Sequence, residues 1–299
     1  MEYTVKGRSY FVAIVLLLTF QIGLAQTESK IEFDSIKTVL FKITSSNNKH
    51  VSYLFGTHHA FGKALFDSLS IANQALATSD ILIKENLNIL GETAEDIINR
   101  RTEITAWNKY LNKVELKYID KLFAKSPTNY GKMTPTEMYV FLNRHFKQQV
   151  CLNRSSNDTS LSLDDYIASK AVEQNLELYG LETTEEQIHL INKDVEGMPR
   201  KSHKRRLFNI IEKIRTQNVN DCEEISWYSE MDIDYQTNTP CQNTLILSDR
   251  NEKWMRQIKD LIERQNCFIA VGLSHLMFEC GLISQLSDIG YIITPLEVK

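Results

Sequence analysis

Two histidines stand in the same local pattern near opposite ends of the chain: a short apolar run, a glycine, two further residues and then the histidine. The first stretch reads LFGTHH and ends at His59, and the second reads AVGLSH and ends at His275. Glycine lets the backbone turn sharply where a strand ends, and α/β sheets bind ligands at the carboxyl ends of their strands. Two neutral imidazoles meeting there with one or two carboxylates would form an open shell for a divalent ion. The repeated pattern therefore suggests one metal site built from both ends.

A simpler interpretation is that each histidine is a hydrogen-bonded polar group near a strand end. The Gly-x-x-His pattern is short, so a single copy would favour this interpretation. Two copies in matching surroundings keep the metal site as an alternative. The pattern by itself does not decide between them.

The elements around the two motifs follow one order: apolar strand, Gly-x-x-His, helix, apolar strand and carboxylate. This order occurs in residues 53–87, where Glu85 closes the second strand, and again in residues 268–298. It predicts two βαβ-like units. Between them, over about residues 92–265, the apolar spacing predicts a mainly helical middle region, interrupted at SPTNYGKMTP. The predicted fold class is α/β, with a mixed sheet built from the N- and C-terminal units.

Local signals place further elements. Alternating residues 39–44, followed by the turn SSNNKH, predict a strand with a hairpin partner over residues 50–59. Ser162 with Asp165 three residues later predicts a capped helix start, and Thr184 is the expected N-cap of the next helix. Two more helices are expected over residues 203–218 and 246–265.

The N-terminal segment has the layout of a secretory signal peptide. Two basic residues precede an apolar run and then small residues, with cleavage expected after Ala25. An uncleaved membrane anchor is the alternative, although the run is short for a spanning helix. Residues 26–299 are expected to form a single exported domain, periplasmic or extracellular, without a stable membrane span.

Charge and cysteine content narrow the function classes. The net charge of −4 and the absence of a basic stripe argue against nucleic acid as a partner. The five cysteines are few for a disulfide scaffold and include no C-x-x-C pair. Export permits a disulfide, and Cys222 with Cys241 is the plausible pair because both flank one polar segment.

Further stretches accompany the two motifs in a fixed order: LIKEN, LDDYIASKAVEQNLELYGLETTEEQI, LSDRNEKWMRQI and FIAVGLSHLMFECGLISQLSDIGYIITPL. With them, from about Leu54 to Leu296, the chain resembles the TraB/GumN family, which is related to the Tiki proteases. The separate matches GLET-x-x-EQ, RN-x-x-W and VG-x-x-HL make the resemblance specific. It implies a metal-dependent hydrolase-like domain, and Tiki-type members cleave peptides. It suggests manganese or cobalt, while a shell of histidine and carboxylate does not by itself exclude zinc.

The resemblance also implies site residues. The expected metal ligands are His59, His275, Glu85 and Glu182, and the same four residues with Arg250 are expected to take part in catalysis. One glutamate would bind the ion while the other acts as a general base toward water. Arg250 would orient a carboxylate or bind a substrate carboxyl group, or it simply begins a helix.

Four other positions receive a secondary interpretation. His58 and His59 are adjacent, so their side chains point apart, and the spacing of the second motif selects His59 as the ligand. Asp164 and Gln187 both match the family. Asp164 is interpreted as a helix-start residue in preference to a ligand, and Gln187 is either a site residue or an amide on a solvated helix face. Glu279, after the second motif, is expected to face solvent.

These features predict a metal-dependent hydrolase, most directly a peptidase, with a peptide or protein substrate. The sequence contains no G-x-S-x-G, H-E-x-x-H or G-x-x-x-x-G-K-[ST] motif, so it gives no support to a serine hydrolase, a zincin or a P-loop enzyme. The alternative is a non-catalytic envelope protein that keeps the fold and binds a ligand or partner.

Overall fold

The computed structural model describes residues 36–155 and 160–298. The predicted signal peptide, residues 1–25, lies outside these described residues. Within them the chain forms a six-stranded mixed sheet and eleven α-helices. This confirms the predicted α/β class.

The sheet contains strands from both ends of the chain and one from its middle. They are β1 (Leu40–Ser45), β2 (Asn48–Thr57), β3 (Ile81–Lys84), β4 (Glu177–Gly180), β5 (Cys267–Gly272) and β6 (Ile292–Pro295). The order across the sheet is β4-β3-β5-β2-β1-β6. Strands β4, β3, β5 and β2 are mutually parallel, whereas β1 is antiparallel to β2 and to β6. The carboxyl ends of the four parallel strands therefore share one edge.

The burial of the central strands explains their sequences. Strand β3, ILIK, is buried throughout, and β5, CFIAVG, is buried up to Gly272. Continuous apolar runs of this kind are typical of parallel strands covered on both faces. The predicted hairpin is confirmed, with Leu40 of β1 opposite Phe55 of β2.

Within each motif segment, the two strands are not neighbours in the sheet. Strand β5 lies between β2 and β3, and both β2 and β1 lie between β5 and β6. The interpretation of these segments as repeated βαβ-like units stays a prediction.

Helices account for most of the middle region. They are α1 (Lys63–Ser68), α2 (Ser70–Ala77), α3 (Ala94–Arg100), α4 (Lys113–Phe123), α5 (Pro135–Phe146), α6 (Leu163–Glu173), α7 (Thr184–Lys193), α8 (Arg200–Arg215), α9 (Glu223–Glu230), α10 (Asp249–Ile262) and α11 (Leu282–Asp288). None of the helices in the described ranges is long and apolar enough to cross a membrane.

Helix starts follow their capping chemistry. The predicted start of α6 is confirmed, because the Ser162 hydroxyl accepts a hydrogen bond from the Asp165 N–H. The prediction for α7 is wrong by one residue. Thr183, in an extended conformation, is the N-cap and forms a capping box with Glu186, which makes Thr184 the first helical residue.

The helical region builds a second apolar cluster away from the strands. Its buried residues come from α3, α4, α5 and α8 and include Ile98, Ile119, Met138, Leu142 and Ile211. This cluster fixes the position of α5.

The disulfides differ from the predicted pairing. Cys222 bonds to Cys151, and Cys241 bonds to Cys280, with Cα–Cα distances of 5.4 Å and 5.9 Å. The predicted Cys222–Cys241 pair is therefore wrong. The segment between these two cysteines contains helix α9, which sequence analysis missed, and each cysteine bonds instead to a distant part of the chain. The fifth cysteine, Cys267, is buried and free.

Candidate functional site

The sheet brings the two Gly-x-x-His motifs to one edge. Strands β2 and β5 are adjacent and parallel, and their last residues, Thr57 and Gly272, are paired in register. Strand β3 lies on the other side of β5 and ends at Lys84, immediately before Glu85. All three strands therefore deliver their following residues to the edge where parallel sheets bind ligands.

A cavity of about 620 Å³ opens at this edge, and it is lined by His59, Glu85, Arg250 and His275 among others. Its size lies within the range of small-molecule and peptide-side-chain pockets. Of the five predicted site residues, Glu182 does not line this cavity. Helices α5, α6 and α9 supply further walls through Arg144, Asp164, Glu224 and their neighbours.

His59 is oriented by a carboxylate. Its Nδ1–H donates to Asp164 Oδ2 over 2.6 Å, and the Thr57 hydroxyl donates to the other oxygen of the same carboxylate. The His59 side chain is 57% exposed while that of Asp164 is 10% exposed. The charge of Asp164, with its hydrogen bond to the ring, raises the pKa of His59 to about 9. His59 is therefore protonated at neutral pH, with Nε2 free of protein partners in the described residues.

Asp164 has a role that sequence analysis did not assign. It belongs to the first turn of α6, as predicted, but its side chain points to His59, far away in sequence. Although burial opposes its ionisation, the charge of His59 lowers the pKa of Asp164 below its usual range. The only sequence signal for this role was the match of LDD to the family pattern.

His275 is buried and neutral. Its Nδ1–H donates to Asn251 Oδ1 over 2.7 Å, and the Asn251 amide donates to the carbonyl oxygens of His275 and Cys280. The Trp254 ring packs against it with ring centroids 4.3 Å apart. Burial lowers the pKa of His275 to about 3. The imidazole Nε2 therefore keeps its lone pair as an acceptor.

Arg250 joins the predicted residues into one network. Its Nη1 donates to His275 Nε2 at 3.0 Å, and its Nη2 donates to Glu85 Oε2 at 2.9 Å. Nη2 and Nε also donate to the two carboxylate oxygens of Glu182, and Nη1 makes a longer bond of 3.4 Å to the Ile246 carbonyl. A guanidinium has five N–H donors, so every donor of Arg250 is engaged.

Glu182 lies behind Arg250 and does not line the cavity. Its side chain is 1% exposed, compared with 12% for Arg250. An ionised carboxylate so deeply buried requires a paired cation. Glu182 thus holds Arg250 in place and is not presented to a substrate.

Glu85 is held as an anion at the cavity wall. Oε1 accepts the Gly272 N–H over 2.8 Å, and Oε2 accepts from Arg250 and from the Gln187 amide. Burial acts against ionisation, but the charges of Arg250 and His59, with the hydrogen bond from Gly272, lower the pKa of Glu85 below its usual value. Gln187 is therefore a partner of Glu85 and not a solvated amide.

His58 points elsewhere, as its adjacency to His59 requires. It is buried, its Nε2–H donates to Glu224 Oε1 over 2.9 Å, and its ring contacts Tyr228. Lys147 also donates to Glu224. Burial raises the pKa of this carboxyl, but the hydrogen bonds from His58 and Lys147 outweigh it and lower the pKa of Glu224 to about 2. Helix α9 is thereby anchored to the end of β2.

The four predicted metal ligands do not fit a divalent ion as they are arranged. The Arg250 guanidinium is bonded to His275 Nε2 and to a Glu85 oxygen, which are the atoms that an ion would need, and Glu182 is sealed beneath it. In the part of the chain that the structure describes, no group of three or more His, Cys, Asp or Glu side chains is placed to hold a metal. A fixed positive charge takes the position expected for the cation.

The mixed sheet and the cavity at its strand ends define an α/β protein whose site combines two histidines, buried carboxylates and an arginine. The chain matches the TraB/PrgY/gumN family over residues 39–295, and it belongs to that family. The match extends from the residue before β1 to the last residue of β6, so it includes both motifs and the helical middle. No curated protein and no solved structure matches the chain.

Proposed function

We propose that this protein is a hydrolase, most directly a peptidase, that cleaves an amide bond in the cavity at the sheet edge. The observation that supports it is the opposite protonation of two groups lining one cavity. His59 is held as an imidazolium by Asp164, and Glu85 is held as a carboxylate by Arg250 and Gly272. Sites that run acid and base chemistry together separate the pKa values of two groups in this way.

The proposed step uses these residues directly. The Glu85 carboxylate takes a proton from a water molecule as the water oxygen bonds to the substrate carbonyl carbon. His59 then gives its Nε2 proton to the departing amine nitrogen as the carbon–nitrogen bond breaks. Arg250 acts as a positioning residue, because all of its donors are engaged with Glu85, Glu182, His275 and a backbone carbonyl.

Metal dependence is a separate part of the proposal. The resemblance implies manganese, cobalt or zinc, but His275 and Glu85 could serve such an ion only after Arg250 had left them. We therefore assign no step to an ion and leave its presence to elemental analysis.

The proposed location is outside the cytoplasm, periplasmic or extracellular. The two disulfides support it, because such bonds persist mainly in oxidising compartments.

The test is turnover of a mixture-based peptide library, followed by mass spectrometry of the products. His59→Ala and Glu85→Gln should each lower the cleavage rate by roughly 100-fold or more. His189→Ala, which removes an exposed histidine outside the cavity, should leave it unchanged. Elemental analysis and activity in the presence of a chelator accompany each measurement, so that metal content and turnover are compared in the same sample.

The alternative of a non-catalytic binding protein has its own supporting observation, the complete engagement of Arg250. A folded protein that cleaves none of the library but binds peptides, with loss of binding in His59→Ala, would reject the hydrolase and favour this alternative.

A further inference from the structure

Helix α5 presents one of its faces to the cavity. Val140, Asn143 and Arg144 of α5 line it, as does Lys147 immediately after the helix ends, and the spacing of three and four residues places the three helical residues along one side of α5. The same helix is fixed from behind by Met138 and Leu142, which are fully buried in the helical cluster. This wall therefore has a defined position relative to the sheet edge.

The charges that line the cavity are paired, with one exception. Lys84 bonds to Asp165 over 3.1 Å, Lys147 bonds to Glu224, and Arg250 bonds to Glu85. His59 is paired with Asp164. Arg144 also lines the cavity from an exposed position, and within residues 36–155 and 160–298 its side chain makes no ion pair and no hydrogen bond, so its charge is held only by solvent.

Arg144 lines the same cavity as His59. An anion that entered this cavity would therefore meet a positive charge that has no ion-pair partner in the described residues. A guanidinium is always charged, and its planar fork matches a carboxylate in two parallel hydrogen bonds.

We propose that Arg144 is a specificity residue that binds a carboxylate of the substrate beside the bond to be cleaved. This inference rests on the proposed function and narrows it to peptides that carry a negative charge near the scissile bond. The carboxylate has two sources in a peptide, the free C-terminus and an aspartate or glutamate side chain. Both have the geometry that an arginine fork accepts.

The test compares matched peptides. N-acetyl-tetraalanine with a free C-terminus is paired with its C-terminal amide, and N-acetyl-Ala-Glu-Ala-Ala-amide is paired with its glutamine analogue. Binding is measured by calorimetry and turnover by mass spectrometry, with the wild-type protein and with Arg144→Gln and Arg144→Lys. The matched control is Arg205→Gln, which removes the same charge from an exposed position of α8 outside the cavity.

The wild-type protein should prefer the charged member of at least one pair, and the pair concerned identifies the source of the carboxylate. Arg144→Gln should weaken binding and raise KM for that peptide by roughly 10- to 100-fold, with little change in kcat or in the neutral peptide. Arg144→Lys should recover part of the affinity, because lysine supplies the charge without the fork.

Two results would overturn the inference. One is that the wild-type protein binds and cleaves the two members of each pair equally well. The other is that Arg144→Gln and Arg205→Gln have equal effects. Arg144-dependent binding of a charged peptide without any turnover would support the inference while rejecting the hydrolase. Turnover of charged and neutral peptides without preference would support the hydrolase while rejecting the inference.

Discussion

Replacing Glu182 by glutamine distinguishes the two roles considered for this residue. Sequence analysis expected a metal ligand or a general base, whereas the structure places Glu182 beneath Arg250 with 1% of its side chain exposed. The substitution keeps the shape and one acceptor oxygen but removes the charge. Arg250 retains Glu85 as a partner at 2.9 Å, so its charge stays partly compensated.

The expected cost follows from that arrangement. Removing one partner of a buried ion pair costs about 3–5 kcal/mol, and the remaining partner and the amide oxygen reduce this to about 2–3 kcal/mol. Chemical denaturation with linear extrapolation measures the free energy of unfolding. The control is Glu252→Gln, which breaks the exposed Glu252–Arg256 pair on α10 and should cost less than about 0.5 kcal/mol.

The reasoning would be refuted by either of two outcomes. One is a destabilisation by Glu182→Gln no larger than that of Glu252→Gln. The other is a loss of bound metal in Glu182→Gln in proportion to a loss of activity, with unchanged stability, because that result would make Glu182 a ligand. If Glu182 positions Arg250, activity falls together with stability, and metal content does not change.

Three further predictions concern charges and covalent links. Asp164→Asn should return the pKa of His59 from about 9 toward its ordinary value, because the negative charge that raises it is removed. An NMR titration of chelator-treated protein measures this pKa. Glu224 has a pKa lowered to about 2, so its ionised form stabilises the fold fully above its ordinary pKa, and this contribution is lost as the pH falls toward 2. In denaturation experiments between pH 2 and 5, the free energy of unfolding should therefore fall less steeply for Glu224→Gln than for the wild-type protein. Replacing Cys241 and Cys280 together by serine should lower the free energy of unfolding by about 2–4 kcal/mol, and an unchanged denaturation midpoint would contradict this.

The parts of the site that sequence analysis predicted depend on local signals. Apolar runs closed by glycine predicted the strands before His59 and His275, and the buried run ILIK predicted the strand before Glu85. The carboxyl ends of parallel strands share one edge of a sheet, so these three predictions together placed three residues near one another. Their convergence on one cavity required no knowledge of the helical region.

The parts of the site that could not be predicted from the sequence depend on how helices dock onto the sheet. Asp164 reaches His59 only because the first turn of α6 lies against the end of β2, and the two residues are 105 positions apart. Arg250 lies at the start of α10, as one of the two sequence interpretations had it, but the burial of Glu182 behind it depends on how α10 docks and is not visible in a local pattern. The disulfide pairing was missed for a related reason, because helix α9 was not expected between Cys222 and Cys241.

The charged groups of the cavity divide into engaged and unengaged donors. The five N–H donors of Arg250 bond to His275, Glu85, Glu182 and the Ile246 carbonyl, so this guanidinium gains no new acceptor without losing an existing bond. In the described residues, His59 has Nε2 unengaged and Arg144 has its whole guanidinium unengaged. A ligand gains most by bonding to groups that give up only water. Under the proposed function, His59 and Arg144 would therefore contact the substrate directly, while the Arg250 cluster would hold Glu85 in place.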